Sequence, residues 1–268
     1  MLAGIEIYRR AALCRAFEDE VFRRVKAGDI RCPVYLSSGQ ETIAATLSYY
    51  LDKHKPAIFP QHRNHAQYLC FGGDMTHLIR ELTGGDTGMQ GSASIADGDV
   101  FGHDGLMGSN VPIGVGYCEA KQRPTIVFFG DAAAEEDYVL AALGYAATKR
   151  LPVLFVCEDN NLAILTQKSV RRAWSLVDVA KGFGLKAFDF TDTPEVLSWP
   201  MPQVFKGPML FNVVTSRYYW HAGAGQDGTP FDRHAEIRKT IKDADAIDAQ
   251  AGAQVKRAWE CYGTPSAA

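Results

Sequence analysis

The stretch Phe128–Asn161, "FFGDAAAEEDYVLAALGYAATKRLPVLFVCEDNN", contains two apolar runs that are separated by a segment of helix length. Asp131 directly follows the first run, and Asn160 lies at the end of the second. Their separation is close to the ~30 residues that a strand–helix–strand unit needs to return to the same edge of a sheet. The pattern therefore predicts two neighbouring parallel strands whose carboxyl ends carry Asp131 and Asn160, ~5 Å apart.

Three apolar runs predict the class of fold. They are "PTIVFFGD" from Pro124, "LPVLFVCED" from Leu151 and "PMLFNVVTSR" from Pro208, and continuous runs of this kind are typical of strands covered on both faces. Helix-length segments lie between them, so we expect an α/β fold with a parallel sheet flanked by helices. Because no repeat or linker interrupts the chain, we expect one domain over residues 1–268. Other helices are predicted for Gly4–Lys26, Gly39–Leu51 and Asp74–Gly84, from near Asn110, and in the tail from Asp243.

Composition excludes several classes of partner. A formal net charge of -3 gives no reason to expect nucleic acid or an anionic membrane as partner. The longest apolar runs, such as Leu151–Cys157, are too short to cross a bilayer. The six cysteines form no CxxC pair and cluster with no other metal ligands, which favours reduced thiols over a zinc site. Since the N-terminal residues do not have the pattern of a signal peptide, we expect a cytoplasmic protein.

Asp131 and Asn160 together suggest a cation site. The carboxyl ends of strands are where open α/β sheets bind ligands. A carboxylate, an amide oxygen and a nearby backbone carbonyl suit Mg²⁺, which takes its remaining oxygens from water and a phosphorylated ligand. A helix predicted to begin near Ala133 would point its N-terminus at the same place, which favours an anion. The alternative is that Asp131 is only a helix cap and Asn160 only a turn residue.

Several blocks, in order, resemble one family of enzymes. "GDAAAEED" and "CEDNNLAI" resemble the cofactor motif of thiamine diphosphate enzymes, and the chain from Ile5 to Asp245 resembles the alpha subunit of two-chain pyruvate, branched-chain 2-oxo-acid and acetoin dehydrogenases. Because the blocks keep their order, the resemblance is more specific than a single motif. The further matching blocks are "YRRAALCRAFEDEV", "YLSSGQETIAA", "HRNHAQYLCFGGD", "GMQGSASIADGDVFGHDGLMGSNVPIGVGYCEAK" and "SRYYWHAGAGQDGTPFDRHAEIRK".

The resemblance implies two cofactors, thiamine diphosphate and Mg²⁺, and a role for each matching residue. Asp131, Asn160 and the carbonyl of Leu162 would hold the metal. Arg63, whose planar fork suits phosphate, would bind the diphosphate, with His62 beside it. Two catalytic residues are implied: His65 near the thiazolium, and His221 near the diphosphate or substrate. Backbone groups of Gly105 and Met107 would contact the aminopyrimidine. The cofactor motif around Asp131 also includes Gly130, Ala132 and Ala133.

The implied reaction forms a two-carbon carbanion equivalent from a 2-oxo acid or a ketose and passes it to a lipoyl or carrier-protein thiol. A beta subunit would supply the Glu that activates the pyrimidine, usually in an assembly of two alphas and two betas. Two further functions stay open: half of a transketolase-like ketol transferase, and a scaffold subunit without catalysis. Ala132 in place of a glycine and Asp137 among added acids depart from the family pattern, and the chain is short at its C-terminal end.

Each of these side chains also has a simpler interpretation. His62 and His65 could be turn residues on a solvated loop, and Arg63 could be a surface charge. Met107 could belong to the core, and His221 could pack beside its aromatic neighbour. No role is assigned to His103.

Overall fold

The computed structural model describes residues 2–84, 98–103, 105–223, 225 and 230–262. Part of the glycine-rich block, residues 85–97, lies outside the described residues, as does the end of the tail. The helices are α1 Leu2–Ala27, α2 Glu41–Leu51, α3 His65–Cys70, α4 Met75–Leu82, α5 Asn110–Lys121, α6 Asp137–Lys149, α7 Lys168–Arg171, α8 Leu176–Gly182, α9 Pro194–Ser198, α10 Arg233–Arg238 and α11 Ala244–Tyr262. The strands are β1 Ala57–Phe59, β2 Thr125–Gly130, β3 Val153–Asp159, β4 Leu162–Ala163, β5 Thr166–Gln167, β6 Lys186–Thr191 and β7 Met209–Val214.

Five strands form a parallel sheet in the order β1-β2-β3-β7-β6. The three apolar runs of the sequence are β2, β3 and β7, which lie next to each other in the middle of this order. In the register of β2 and β3, Gly130 lies opposite Glu158. Their carboxyl ends therefore meet at one edge of the sheet, as the strand–helix–strand spacing predicts. Strands β4 and β5 form a short antiparallel hairpin directly after β3.

Helices cover the sheet on both faces, because successive side chains of a strand point in opposite directions. Ile126 and Phe128 of β2 pack into a core shared with α1, α2, α4 and α11. Val127 and Phe129 pack into a second core shared with α5, α6 and α8. Burial on both faces explains why the central strands are continuous apolar runs with no polar alternation.

Helix α5 packs closely against the edge of the sheet. A Cβ atom added to Gly114 would lie 2.6 Å from a methyl carbon of Val127 and 3.1 Å from the Phe59 ring. Only glycine permits this approach. At the start of the same helix, the Asn110 side-chain amide donates to the carbonyls of Pro60 (3.0 Å) and Phe128 (2.6 Å). Asn110 thus joins the ends of β1 and β2 where the site forms.

The structure corrects the predicted start of the helix that follows β2. Residues Ala133–Glu135 form a single 3₁₀ turn, and α6 begins only at Asp137. The reason is that Glu136 adopts an extended backbone (φ -72°, ψ 135°), which interrupts the helix. The residues that follow Asp131 therefore form the 3₁₀ turn and not the first turn of α6. The sequence analysis also missed β6, where burial alternates from residue to residue and no continuous apolar run exists.

Within the part of the chain that the structure describes, no helix has both the length and the hydropathy needed to cross a membrane.

Candidate functional site

A cavity of about 850 Å³ opens at the carboxyl ends of β2 and β3. Asp131 and Asn160 both line it, so the two residues singled out by their spacing reach one site. Of the residues implied by the resemblance, only His65 does not line the cavity. The other lining positions from that set are His62, Arg63, Gly105, Met107, Gly130, Ala132, Ala133, Leu162 and His221.

One wall of the cavity is acidic. Asp131 is buried (1% exposed), and burial together with the nearby Asp159 carboxylate raises the pKa of Asp131 above its usual value. Arg171 and Arg172 oppose that shift. The Arg171 guanidinium forms an ion pair with Asp131 Oδ2, and Arg172 Nη1 donates to the Asp131 carbonyl at 2.9 Å. Negative charge at Asp131 thus depends on cations held close to it.

The turn after β3 presents the second oxygen donor. Asn160 Oδ1 accepts from the Leu162 backbone N–H at 3.1 Å, and Asn160 Nδ2 donates to Gln40 Oε1 at 3.4 Å. Asn161 adopts a left-handed backbone (φ 66°), which turns the chain into the β4–β5 hairpin. Asparagine is one of the few non-glycine residues that tolerate this conformation. The amide side chain and the backbone of Leu162 therefore lie on one tight turn beside Asp131.

Two arginines add positive charge to the cavity wall. Arg63 is buried (2% exposed), and its guanidinium donates to the carbonyls of Leu36 (2.7 Å) and His221 (3.2 Å). Arg217 also lines the cavity and donates to the Ile164 carbonyl at 2.8 Å. The interpretation of Arg63 as a surface charge is wrong. Two guanidinium groups in the wall of one cavity suit an anionic ligand, because charge-assisted hydrogen bonds to phosphate oxygens are strong.

Histidine rings also line the cavity. Burial, followed by the positive charges of Arg63 and of the neighbouring histidines, holds the pKa of His62 well below its usual value. His62 is therefore a neutral imidazole at pH 7. Its ring lies 5.5 Å from that of His221 and 6.2 Å from that of His103, measured between centroids. Among the described residues, His62 Nε2 is buried without a hydrogen-bond partner, as expected of a group that awaits a ligand.

His65 lies behind the cavity. Its side chain is fully buried, and its Nδ1 atom lies 3.1 Å from Glu18 Oε2. Glu18 also accepts from the Ser37 backbone N–H at 2.6 Å. Burial alone would raise the pKa of Glu18, but His65 and Ser37 outweigh it and hold that pKa below its usual value. The structure thus does not bring His65 into the cavity, and the interpretation of His65 as a residue on a solvated loop is wrong.

Met107 and His221 both belong to the cavity wall. Met107 is 43% exposed and lines the cavity, so the interpretation of Met107 as a core residue is wrong. His221 packs its ring 5.2 Å from that of Tyr35, so a packing role accompanies its place on the wall.

Several lining residues were missed by the sequence analysis. His103 had no assigned role, and Tyr35, Gln61, Arg171 and Arg217 were not considered. Arg171 is separated from Asp131 in sequence by α6, β3 and the β4–β5 hairpin, and Arg217 follows β7. The adjacent arginines after "NNLAILTQ" were a usable signal, because a tight hairpin returns the chain to its starting point.

Behind the floor of the cavity lies a buried carboxyl group. Glu158 accepts hydrogen bonds from the side-chain amides of Gln61 and, at 2.8 Å, Gln67. Burial raises the pKa of Glu158 to about 7, although both glutamines and Arg63 oppose the shift. This network ties the end of β3 to the turn that carries His62 and Arg63.

The residues present fit both groups that the resemblance implies. A buried carboxylate whose pKa is raised, an amide oxygen and a backbone carbonyl form a hard oxygen donor set, which suits Mg²⁺. Arg63, Arg217 and the unpartnered Nε2 of His62 suit a diphosphate. The ion pair from Arg171 to Asp131 competes with a metal ion for this carboxylate.

The fold and the site define a class of protein. The structure superposes on transketolase from Leishmania mexicana with a TM-score of 0.63 and 15% identity, covering 96% of this chain and 46% of that one. Transketolase from Campylobacter jejuni gives a TM-score of 0.61 and 13% identity, covering 97% of this chain and 49% of the other. At these identities the likeness concerns the fold alone, and it confirms the predicted parallel sheet flanked by helices.

Sequence comparison gives the family. The family model described as "Dehydrogenase E1 component" matches residues 9–257, and the chain belongs to this family. The pyruvate dehydrogenase E1 component subunit alpha of Zymomonas mobilis is 30% identical over 267 residues, which cover 91% of this chain and 74% of the relative. A probable mitochondrial counterpart from Caenorhabditis elegans is 27% identical, with 91% and 65% covered. The resemblance to alpha subunits is confirmed, and the family implies thiamine diphosphate as cofactor.

Proposed function

We propose that this chain is the alpha subunit of a heteromeric thiamine diphosphate enzyme, which forms a two-carbon carbanion equivalent from a 2-oxo acid or ketose. The observation that carries the proposal is that one cavity is lined by the Asp131 carboxylate and by the guanidinium groups of Arg63 and Arg217. A magnesium diphosphate needs both kinds of charge within one site. The relatives named as pyruvate dehydrogenase alpha subunits favour a 2-oxo acid as the donor.

Each wall of the cavity has its own task. Asp131 Oδ atoms, Asn160 Oδ1 and the Leu162 carbonyl would hold Mg²⁺, with Gly130, Ala132 and Ala133 shaping the turn. Arg63 and Arg217 would bind the diphosphate oxygens, and neutral His62 would donate a hydrogen bond from one ring nitrogen. Thiamine diphosphate supplies the nucleophilic carbon when bound. Gly105 and Met107 would border its aminopyrimidine, and His221 would face the diphosphate or the substrate.

His65 takes a different role in this proposal from the one that the resemblance implies. Its buried contact with Glu18 supports α3 directly after the turn that carries His62 and Arg63. We therefore assign His65 a positioning role and not a contact with the cofactor. The unpredicted His103, whose ring neighbours that of His62, joins the group that faces the ligand.

A beta chain would complete the site with the Glu that activates the pyrimidine, in an assembly of two alphas and two betas. Exposed apolar side chains at the rim of the cavity support such a partner, since they include Leu106 (61% exposed) and Ile164 (61% exposed). A lipoyl or carrier-protein thiol is the proposed acceptor. The single domain over residues 1–268 and the cytoplasmic location stay predictions.

The proposal is tested by calorimetric titration of thiamine diphosphate into the chain purified with its beta partner. We expect stoichiometric binding that requires Mg²⁺. Asp131→Asn should abolish this Mg²⁺-dependent binding, while the far-UV circular dichroism spectrum stays unchanged. Asp178→Asn removes one exposed carboxylate on α8 and serves as the matched control, which should bind normally. Unchanged binding by Asp131→Asn would exclude the metal assignment.

A scaffold subunit and a ketol transferase would give different results in the same assembly. The scaffold subunit would bind no thiamine diphosphate. The ketol transferase would release a two-carbon unit from a ketose phosphate faster than CO₂ from pyruvate. Because the transketolase structures share only the fold, they do not favour the ketol transferase.

A further inference from the structure

A short basic segment lies against the acidic wall of the cavity. Helix α7 and the residue after it carry Lys168, Arg171 and Arg172, which return to β2 and β3 through the β4–β5 hairpin. Lys168 forms an ion pair with Asp159. Arg171 bonds both Asp131 and, through Nη1 at 2.6 Å, Glu135.

We propose that Arg171 is an exchangeable internal counter-ion of Asp131, which compensates its charge before a divalent cation binds and then moves wholly onto Glu135. The inference rests on the proposed function, because it concerns the same metal site. It adds a residue that determines how tightly the metal is held.

Electrostatic repulsion prevents Arg171 and a divalent cation from binding Asp131 at the same time. A divalent cation on Asp131 and the Arg171 guanidinium would lie within ~4 Å of each other, where like charges repel strongly in a partly buried site. Arg171 is 12% exposed, so solvent screens this repulsion only weakly. The guanidinium and the metal therefore compete for the same carboxylate.

Glu135 makes the exchange possible without leaving a charge unpaired. Its carboxylate already accepts from Arg171 at 2.6 Å and lies 3.6 Å from Arg172 Nη1. Arg172 stays attached to the Asp131 carbonyl, so the segment keeps one anchor in both states. Asp159 already forms an ion pair with Lys168. Glu135 is therefore the carboxylate that can accept the Arg171 guanidinium when it leaves Asp131.

Among the described residues, the Arg171 side chain is held through its two terminal nitrogens. Its buried Nε atom has no hydrogen-bond partner in this part of the chain, so a rotation that keeps Nη1 on Glu135 breaks a single contact.

The test measures Mn²⁺ affinity by electron paramagnetic resonance, at saturating thiamine diphosphate, in the full chain with its beta partner. Arg171→Gln removes the competitor, and we expect Mn²⁺ to bind about tenfold more tightly. Glu135→Gln removes the acceptor that takes Arg171 after the exchange, and we expect binding to weaken several-fold. Arg150→Gln is the charge-matched control, because Arg150 lies at the end of α6, shortly before β3 begins at Val153, and so near the amino ends of the strands, away from the site.

A second readout distinguishes exchange from a general loss of fold. Without metal, Arg171→Gln leaves Asp131 buried and unpaired, so its melting temperature should fall, and Mg²⁺ with thiamine diphosphate should restore more stability than in wild type. Should Arg171→Gln not fold, the weaker Mn²⁺ binding of Glu135→Gln carries the test.

The outcomes are distinct. Equal or weaker Mn²⁺ binding by a folded Arg171→Gln chain, with wild-type binding intact, would overturn the exchange and leave the proposed function standing. Mn²⁺ binding by Arg171→Gln but not by wild type would show that Arg171 blocks the metal position permanently, and would overturn the exchange. Absence of binding in every chain would overturn the proposed function and the exchange together.

Discussion

Glu18 and His65 form a fully buried pair that supports the turn that carries His62 and Arg63. Because neither side chain reaches solvent, water cannot replace the contact that is lost when one partner is removed. Glu18 also accepts from Ser37, and so fixes the segment that ends at Gly39. The pair therefore acts on the cavity through the backbone of two segments and not through contact with a ligand.

We expect Glu18→Gln to lower the free energy of unfolding at pH 7 by about 3 kcal/mol. The folded-state pKa of Glu18 lies below its usual value, so its contribution is present above the unfolded-state pKa and is lost as pH falls through the folded-state pKa. The difference between variant and wild type should therefore shrink on acidification. Urea unfolding at pH 7 and pH 4 measures both effects.

Glu20→Gln is the control on the same helix. Glu20 pairs with Arg23 and Arg24 near the surface, where an ion pair contributes less than about 1 kcal/mol. Equal losses for the two variants, or a loss at Glu18 that does not depend on pH, would contradict the assigned role of the buried pair.

Some residues of the site could be predicted from the sequence and others could not. Asp131 and Asn160 were found because the two-strand crossover has a fixed length and the strands are parallel. The contact of Arg171 with Asp131 could not be found in this way, because it depends on the left-handed turn at Asn161 and on the length of a two-residue hairpin. His65 is close in sequence to His62 and Arg63 but does not line the cavity with them, since the first side chain of α3 points into the core.

At the scale of elements, the segment before α2 lies against the segment after β7. The Tyr218 backbone N–H donates to the Ser38 carbonyl at 3.1 Å, and Thr215 Oγ1 donates to the Gly39 carbonyl at 3.1 Å. Gly39 adopts a φ of 96°, and an added Cβ atom would lie 2.3 Å from the Ser216 carbonyl oxygen. Glycine at this position thus allows the segment carrying Arg217 and His221 to close over the cavity.

We expect Gly39→Ala to cost about 3 kcal/mol or more of unfolding free energy, through the positive φ and the backbone clash together. Chemical denaturation measures the loss, and thiamine diphosphate affinity should fall with it. Gly116→Ala in α5 is the control. No atom lies within 4 Å of its added Cβ, so alanine in this helix should leave stability unchanged or raise it by about 0.5–1 kcal/mol. A tolerated Gly39→Ala would show that the two segments do not pack as described.

Elements were predictable where a continuous pattern decides them. The helix predicted to start near Asn110 begins there, and β2, β3 and β7 match the apolar runs. Strand β6 was missed because its outer residues face solvent at the edge of the sheet, which leaves a short, mixed pattern. The delayed start of α6 depends on the extended conformation of one residue, Glu136, and three acids in a row equally suit a helix that begins earlier.

At the scale of the whole molecule, apolar residues surround the mouth of the cavity. Leu165 is 72% exposed and Val170 is 77% exposed, on either side of the β5 strand that borders the site. Clusters of exposed apolar side chains next to a ligand cavity are typical of a surface that another chain covers. In the proposed assembly this surface is where the beta chain completes the active site.

We expect Leu165→Glu to weaken association with a co-expressed beta-type chain at least about tenfold, because a buried charge without a partner strongly disfavours an interface. Sedimentation velocity measures the association, and the melting temperature of the chain alone should not change. Leu2→Glu, at a position that is 85% exposed on the first turn of α1, is the matched control. Association equal to wild type in Leu165→Glu would place the interface elsewhere.

The cavity wall is built from widely separated parts of the chain, from Tyr35 to His221. Such a wall exists only after segments that are distant in sequence have met, so it depends on non-local contacts across most of the chain. A bound ligand would consequently protect the polypeptide against proteases along most of its length and not merely next to the ligand. Resistance to digestion could then serve as a gauge of how many molecules in a preparation have completed their fold.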